Sequence, residues 1–338
     1  MPVSIVVGGQ YGSEGKGKVS HYLSVERKAS VVIRCGGTNS GHTVIDEEGQ
    51  AQIFQQLPTA AILPEVKLAL CAGTYIDIKI LKKELERSGA ENGRLMIDPF
   101  AIVISEHHKK LERDSGLIDR IGSTGSGTGA AVIARITRDE DVKFAKDCPE
   151  LSGFITDVTQ ALRERLLLGE RIIIEGTQGF GLSPFHSGMN PYVTSRDTTA
   201  AGFLSEVGLS PLDVDEVVMV IRAFPIRVSG TSGPLVNEID WKTISIEGSH
   251  DESLKEFTSV SKETRRVARF DPIIVRRAIK VNRPTAIVLN HLDYINKYAS
   301  IHHDTVKSFI QDLAISINFE IEYLGFGPSF CDCWRQKK

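Results

Sequence analysis

Glycines and lysines crowd the segment GGQYGSEGKGK at residues 8–18, a combination suited to holding phosphate. Glycines let backbone amides approach an anion closely, a helix starting near Lys16 presents the positive end of its dipole, and Lys16 and Lys18 add full charge. Gly12 to Lys18 fits GxxxxGK, but Val19 stands where a P-loop places the Ser or Thr that binds magnesium, so this is a phosphate loop of another kind. The alternative is a tight strand-to-helix turn with solvated lysines. A second loop, CGGTNSGH at 35–42, ends in a histidine, and the near-neutral pKa of an imidazole suits proton transfer. A lone histidine is more often structural, but Gly41 and His42 fall beside the first loop, where a carbonyl can reach a metal and an imidazole a reacting oxygen. A third loop, GSTGSGTGAA at 122–131, carries glycines at 122, 125, 127 and 129 that again open amides to an anion.

The elements that deliver these loops are legible as short β-branched runs. Val3 to Val7 runs into the first loop and Ser30 to Arg34 into the second; Arg171 to Glu175 enters GTQGFG, Glu216 to Ile221 enters a Pro/Gly loop, and Ala286 to Asn290 enters HLD. Helical spacing of apolar residues predicts helices from about Lys16 and over Ile76 to Ser88, Ser152 to Leu168 and Thr305 to Ile317. Strands alternating with helices predict an α/β fold with a mostly parallel central sheet and surrounding helices, its loops converging at the carboxyl ends of the strands.

With 338 residues the chain can bury a large core, as one elaborated domain or two. Charged residues at 25%, apolar residues at 41% and a formal net charge of −3 describe an ordinary globular chain and give no sign of direct nucleic-acid binding. MPVSIVVGGQ lacks a basic n-region and a cleavage site, so the expectation is a cytoplasmic protein with no membrane span. Five scattered cysteines make a poor disulfide framework, and the CxC pair Cys331 and Cys333 is half of the usual zinc pattern.

Taken together, GGQYGSEGKGK, GGTNSGH, IGSTGSGTG, EGTQGFG and NPYVTSRDTTA occur in the order and near the spacing found in adenylosuccinate synthetases, and the resemblance covers nearly the whole chain. It implies one P-loop-related domain over residues 1–338, similar to the compact form seen in archaea and some bacteriophages. In that family a purine triphosphate phosphorylates O6 of inosine monophosphate, and the amine of aspartate displaces the phosphate. The protein mainly positions and neutralises.

The resemblance assigns roles residue by residue. His42 matches the general acid, Lys16 the lysine on the transferring phosphoryl group, and Gly41 a carbonyl ligand of Mg2+, with Ser13 beside it in the metal and catalytic positions. The monophosphate nucleotide would meet Ser13, Asn39, Ser123, Thr124, Gln178 (also catalytic) and Thr194, with Arg138 donated across a homodimer interface. The triphosphate would meet Gly12, Glu14, Gly15, Lys16, Gly17, Gly41, Thr43, Asn290, Asp293 and Gly327. The aspartate would meet Ser259, Val260, Ser261 and Arg265, with Arg266 a further candidate.

Three departures from the family pattern fall at three substrate subsites. Where the family reads GDEGKGK this chain has Ser13, and a hydroxyl has no pKa near neutrality with which to take the N1 proton. Guanine, whose 2-amino group needs room and an acceptor, is a coherent substrate there. Glu263 stands where the family's aspartate loop carries an arginine near the ribose 2'-hydroxyl, which fits a deoxyribose. Asn290 to Asp293 (NHLD) lacks the family's lysine but keeps the aspartate, leaving ATP, dATP or GTP as donor. The pattern resembles the family's bacteriophage branch, which joins aspartate to dGMP using ATP or dATP on the way to 2-aminoadenine, and which would place the chain in a host's cytoplasm. The alternatives are an ordinary ligase using IMP, aspartate and GTP, and a nucleotide-binding homologue without catalysis.

Overall fold

A computed structural model describes residues 2–90, 93–251, 254–258, 263–329 and 333–335. At its centre lie eight parallel strands: β1 Val3–Gly8, β2 Val31–Arg34, β3 Lys67–Leu70, β4 Leu95–Ile97, β5 Ile172–Glu175, β6 Val214–Arg222, β7 Ala286–Asn290 and β8 Tyr323–Gly325. A ninth, β9 Cys333–Arg335, pairs antiparallel with β8, and the spatial order is β9-β8-β7-β6-β1-β5-β2-β3-β4. All five strands expected from sequence are present; β3, β4, β8 and β9 are additional.

Alternation explains why the sheet is buried on both sides. Val3, Ile5 and Val7 pack with Val31, Ile33, Ile172, Ile174, Met219, Ile221, Ile287 and Leu289 on one face, while Val6, Val32, Ile173, Val218, Val220 and Val288 join the core on the other. Strands apolar on both faces suit a parallel sheet whose crossover helices cover it. Because the strands run the same way, every loop that leaves a strand end opens on one edge, and that edge assembles the site.

Two helices differ from the periodicity reading. Ile76 to Ser88 begins instead at Ile78, since Asp77 accepts from the amides of Lys79 and Ile80 and caps the helix. Ser152 to Leu168 is two elements, a 3-10 turn at Pro149–Phe154 and a helix at Val158–Leu167, because Asp157 caps the second by accepting from the Gln160 amide at 2.9 Å. A small antiparallel sheet of Ile226–Arg227, Arg266–Ala268 and Glu238–Ile239 packs on its own apolar cluster around Trp241 and Ile244. Among the described residues no helix is long and apolar enough to cross a membrane.

Candidate active site

Three apolar strands of the central sheet end in a charge, and these charges organise the site. Arg34 closes β2 and Glu175 closes β5, and the two are register partners on adjacent strands, with Arg34 Nη1 donating to Glu175 at 2.8 Å. The same carboxylate meets His42 Nδ1 at 2.7 Å and accepts from the amide of Thr59 at 3.0 Å and its hydroxyl at 2.7 Å. Arg34 also donates to the Ser40 carbonyl at 2.8 Å, which ties the strand end to the 36–42 loop. Burial and then the Arg34 guanidinium push the His42 imidazole down to about 4, against the opposing pull of Glu175. Burial opposes ionisation of Glu175, but His42, Arg34 and Thr59 outweigh it and hold the carboxyl down at about 2. At neutral pH the imidazole therefore carries one proton, on Nδ1 toward Glu175, and leaves Nε2 as the exchangeable position.

Both groups bind fewer protons folded than unfolded, so each contributes stability that is lost as pH falls. For His42 the window runs from its ordinary 6.5 down to about 4, and for Glu175 from 4.5 down to about 2. The urea midpoint is expected to decline steadily as pH drops through the first window, and His42→Asn should flatten that decline. An unchanged native midpoint across it would contradict the assignment.

The first loop wraps around Glu14, which is fully buried. Glu14 accepts from the amides of Gln10 (3.1 Å) and Gly12 (2.8 Å) and pairs with Lys16 Nζ at 2.6 Å. Any side chain at Gly8 would put its Cβ 2.6 Å from the Glu14 carboxylate, and Gly179 abuts the other oxygen, so the glycines wall this slot. Glu14 thus faces inward, committed to the loop's own amides and to Lys16. Lys16 opens the helix Lys16–Glu26 after Gly15 at φ 89. Asn290, at the end of β7, donates to the Glu14 carbonyl at 2.8 Å, and Lys18 donates to the Gly327 carbonyl at 2.6 Å. Gly17 packs against His42, its would-be Cβ 2.8 Å from the histidine's, which brings the first two loops together.

Ser13 sits at φ 57, in the left-handed region. Its carbonyl accepts from Arg222 Nη1 at 2.9 Å, and its hydroxyl accepts from Arg265 Nη1. Arg222, at the end of β6, is itself paired with Glu256, whose carboxyl is held at about 2 because Arg222 and His291 outweigh its burial. Arg265 also donates from Nε to the Phe257 carbonyl at 3.0 Å. Arg266, next along the chain, points elsewhere: it pairs with Glu238 and donates to the Gly233 carbonyl at 2.7 Å, as the period-two alternation of a strand dictates. Glu263 accepts from the Ser229 hydroxyl. Ser259, Val260 and Ser261 lie outside the described residues.

Buried polar atoms in these loops mark where a ligand would be received. Thr38 Oγ1, Asn39 Oδ1, Ser40 Oγ, Gln178 Oε1, Asn290 Oδ1 and Asp293 Oδ1 have no hydrogen-bond partner among the described residues. Gln178 adopts φ 63 beside the glycines around Glu14. Burial pushes the Asp293 carboxyl up to about 6, so it is ionised at neutral pH.

The monophosphate-side residues spread more widely. Gly37 packs on the Thr128 side chain, which joins the second loop to the start of the helix Thr128–Thr137. Ser123 accepts from the Gly125 amide at 3.4 Å, and Thr124 is exposed. Glu112, from the helix Glu106–Asp114, accepts from the Gly127 amide and, at 3.2 Å, from that of Gly129. Thr194 is half-buried in the loop following Gly179, its amide on the Leu182 carbonyl at 2.8 Å. Arg138 caps the far end of its helix, exposed and roughly 15 Å from the glycine loop for a ten-residue helix. Thr43 is exposed, because the His42–Ile45 strand turns alternate residues outward.

The donor set does not fit a metal held at Ser13. Its hydroxyl is already in contact with a guanidinium, and among the described residues no group of three or more His, Cys, Asp or Glu gathers to hold a cation. The motif reading missed Arg34, Glu175, Arg222, Glu256 and Glu112. For the first three a signal existed, since each is a charge ending an otherwise apolar strand.

Sheet edge, glycine loops and the buried His42–Glu175 pair define an α/β fold whose strand-end loops gather polar and charged side chains. The family model for adenylosuccinate synthetase matches residues 5–146 and 139–305. The chain belongs to that family, C–N ligases that use aspartate and a purine nucleotide. It is 41% identical over 335 residues to the adenylosuccinate synthetase of Methanocaldococcus jannaschii, covering 96% of this chain and 94% of that one. With the Pyrococcus horikoshii enzyme it shares 36% over 338 residues, 97% and 96% of the two chains. Among solved structures it is similar to the cyanophage S-2L succinoaminodeoxyadenylate synthetase PurZ bound to dGMP and dATP as an energy donor, with a TM-score of 0.83, 30% identity, and 100% and 96% of the chains covered. The fully ligated Plasmodium falciparum adenylosuccinate synthetase shares the fold, with a TM-score of 0.85 at 20% identity over the full length of both chains.

Proposed function

We propose that the chain joins aspartate to C6 of dGMP at the expense of ATP or dATP, giving 2-amino-2'-deoxy-N6-succinyladenylate, the nucleoside diphosphate and phosphate. The observation that carries this reading is the neutral residue at position 13, between Gly12 and Glu14, where a hydroxyl leaves room for a 2-amino group and keeps a lone pair to accept from it. The similarity to a phage enzyme bound to dGMP and dATP supports it. So does Glu263, which offers no positive charge toward a ribose hydroxyl.

In the proposed sequence O6 attacks the γ-phosphorus and displaces the nucleoside diphosphate while the N1 proton passes to solvent, and the aspartate amine then adds at C6, expels phosphate and gives up its own protons to solvent. Lys16 steadies the transferring phosphoryl group and His42 Nε2 exchanges a proton at O6, with Gln178 and Asn39 on the purine nucleotide. The negative charge of two bound phosphate chains raises the imidazole's pKa, the direction that a proton donor at O6 requires. Asn290 and Asp293 face the donor base, and Arg265 receives the aspartate carboxylate. Magnesium would be held by the triphosphate oxygens with the Gly41 carbonyl and would supply charge neutralisation at the transferring phosphoryl group, whereas Ser13 is committed to Arg265.

A second reading, condensation of IMP with aspartate using GTP, is favoured by one observation: the archaeal relatives at 36–41% identity are ordinary adenylosuccinate synthetases. Incubating the protein with aspartate, magnesium and each of dGMP, GMP and IMP, paired with ATP, dATP or GTP, separates the two. Phosphate release and succinylated product are expected with dGMP and an adenine donor. Turnover with IMP and none with dGMP would sink the first reading.

A homodimer belongs to the same proposal. Arg138 is exposed at the end of its helix away from the glycine loop, and that helix leaves Ile133 (63%) and Ile136 (70%) exposed beside it. Arg138→Ala and His42→Asn proteins should each be nearly inactive, yet mixing them should restore roughly a quarter of native activity through hybrid dimers with one intact site. No recovery after subunit exchange would place Arg138 outside the partner's site.

A further inference from the structure

We propose that Ser13 is a positioning residue for Arg265, holding the guanidinium that receives the substrate aspartate, and that it is not a magnesium ligand. The inference deepens the proposed function and rests on its assignment of Arg265 to the aspartate. Residue 13 is clamped by two arginines, Arg222 on its carbonyl at 2.9 Å and Arg265 on its hydroxyl, and its left-handed backbone at φ 57 turns both oxygens toward them. Arg265 is fixed at two points, Nη1 on Ser13 and Nε on the Phe257 carbonyl, and among the described residues Nη2 has no hydrogen-bond partner, which leaves its protons for a carboxylate.

The charge balance points the same way. Glu256 is committed to Arg222 and lies 3.9 Å from Arg265 Nε, so one carboxylate serves two guanidiniums. Glu14 is matched by Lys16. The pocket around Ser13 therefore carries an excess positive charge, which attracts a substrate carboxylate and repels a divalent cation. A neutral hydroxyl anchors Arg265 without cancelling its charge. An aspartate at this position would form an ion pair with Arg265 and compete with the substrate for it.

Two variants separate anchoring from folding. Ser13→Gly relaxes the left-handed backbone while deleting the acceptor, and Ser13→Asn tolerates that backbone and restores an acceptor oxygen. Steady-state constants are measured at saturating monophosphate, dGMP or IMP according to which the protein turns over, so a change in purine affinity stays out of the aspartate constants. Aspartate binding to the nucleotide-saturated protein is measured by calorimetry alongside. For Ser13→Gly the expected result is an aspartate KM and dissociation constant about tenfold higher, the size of one lost hydrogen bond to a charged group. The half-saturating magnesium concentration should stay within about twofold, and Ser13→Asn should recover aspartate binding. A raised magnesium requirement with unchanged aspartate binding, or an aspartate defect that asparagine does not recover, would overturn the proposal.

Discussion

His42→Asn is expected to lower kcat by roughly 100- to 10,000-fold, the usual worth of a positioned general acid or base, while leaving the KM for aspartate within a few-fold. Asparagine preserves a polar group at Nδ1 but has no titrating ring. Glu175 bonds that ring at 2.7 Å, so Glu175→Gln should reproduce part of the loss through the wrong ring orientation and tautomer. The two substitutions are also expected to be strongly non-additive, because they remove one proton-transfer unit. Glu175→Gln carries a second consequence. It leaves Arg34, 1% exposed, without its carboxylate, so a loss of several kcal/mol of stability, about 3–5 for one broken buried pair, accompanies the kinetic effect. His42→Asn keeps the Arg34–Glu175 pair and isolates the chemistry. A His42→Asn protein that retains native kcat with either purine would remove this residue from the reaction.

Lys16→Met should be comparably severe in rate, about 100- to 1,000-fold in kcat, as expected for deleting a preorganised charge at a transferring phosphoryl group. It also strands Glu14, fully buried at 2.6 Å from the lysine, so the single variant should lose thermal stability as well. The double variant Glu14→Gln with Lys16→Met separates the effects. Stability should largely return, since a neutral amide no longer needs a cation, whereas kcat should stay low. Recovery of kcat in the double variant would mean that Lys16 acts only by neutralising Glu14.

The sequence by itself was enough to place five strands of the central sheet, the glycine loops and the family. Strands β1, β2, β5, β6 and β7 are dense apolar runs that end in turn-forming loops, and that pattern is local. β4, β8 and β9, three residues each, carry too few residues for a periodic signal, and β3, KLAL, is as long as β2 and β5 but has no β-branched residue. Asp77 and Asp157 moved two helix starts, through caps that periodicity does not register. Lys16, His42 and Gln178 were legible because they sit inside glycine motifs. Their partners were not. Glu175 is 133 residues from His42 and Arg265 is 252 residues from Ser13, and no local rule connects positions so far apart. Parallel strands bring them together by ending on one edge, where Arg34 and Glu175 meet across the register and Arg222 reaches the loops beyond it. Sequence therefore determined which chemical groups the protein owns and the kind of sheet that carries them. Only the tertiary structure decided that Ser13, a gap in a motif when read along the chain, is gripped by two arginines, because hydrogen-bond partners are chosen by proximity in the fold.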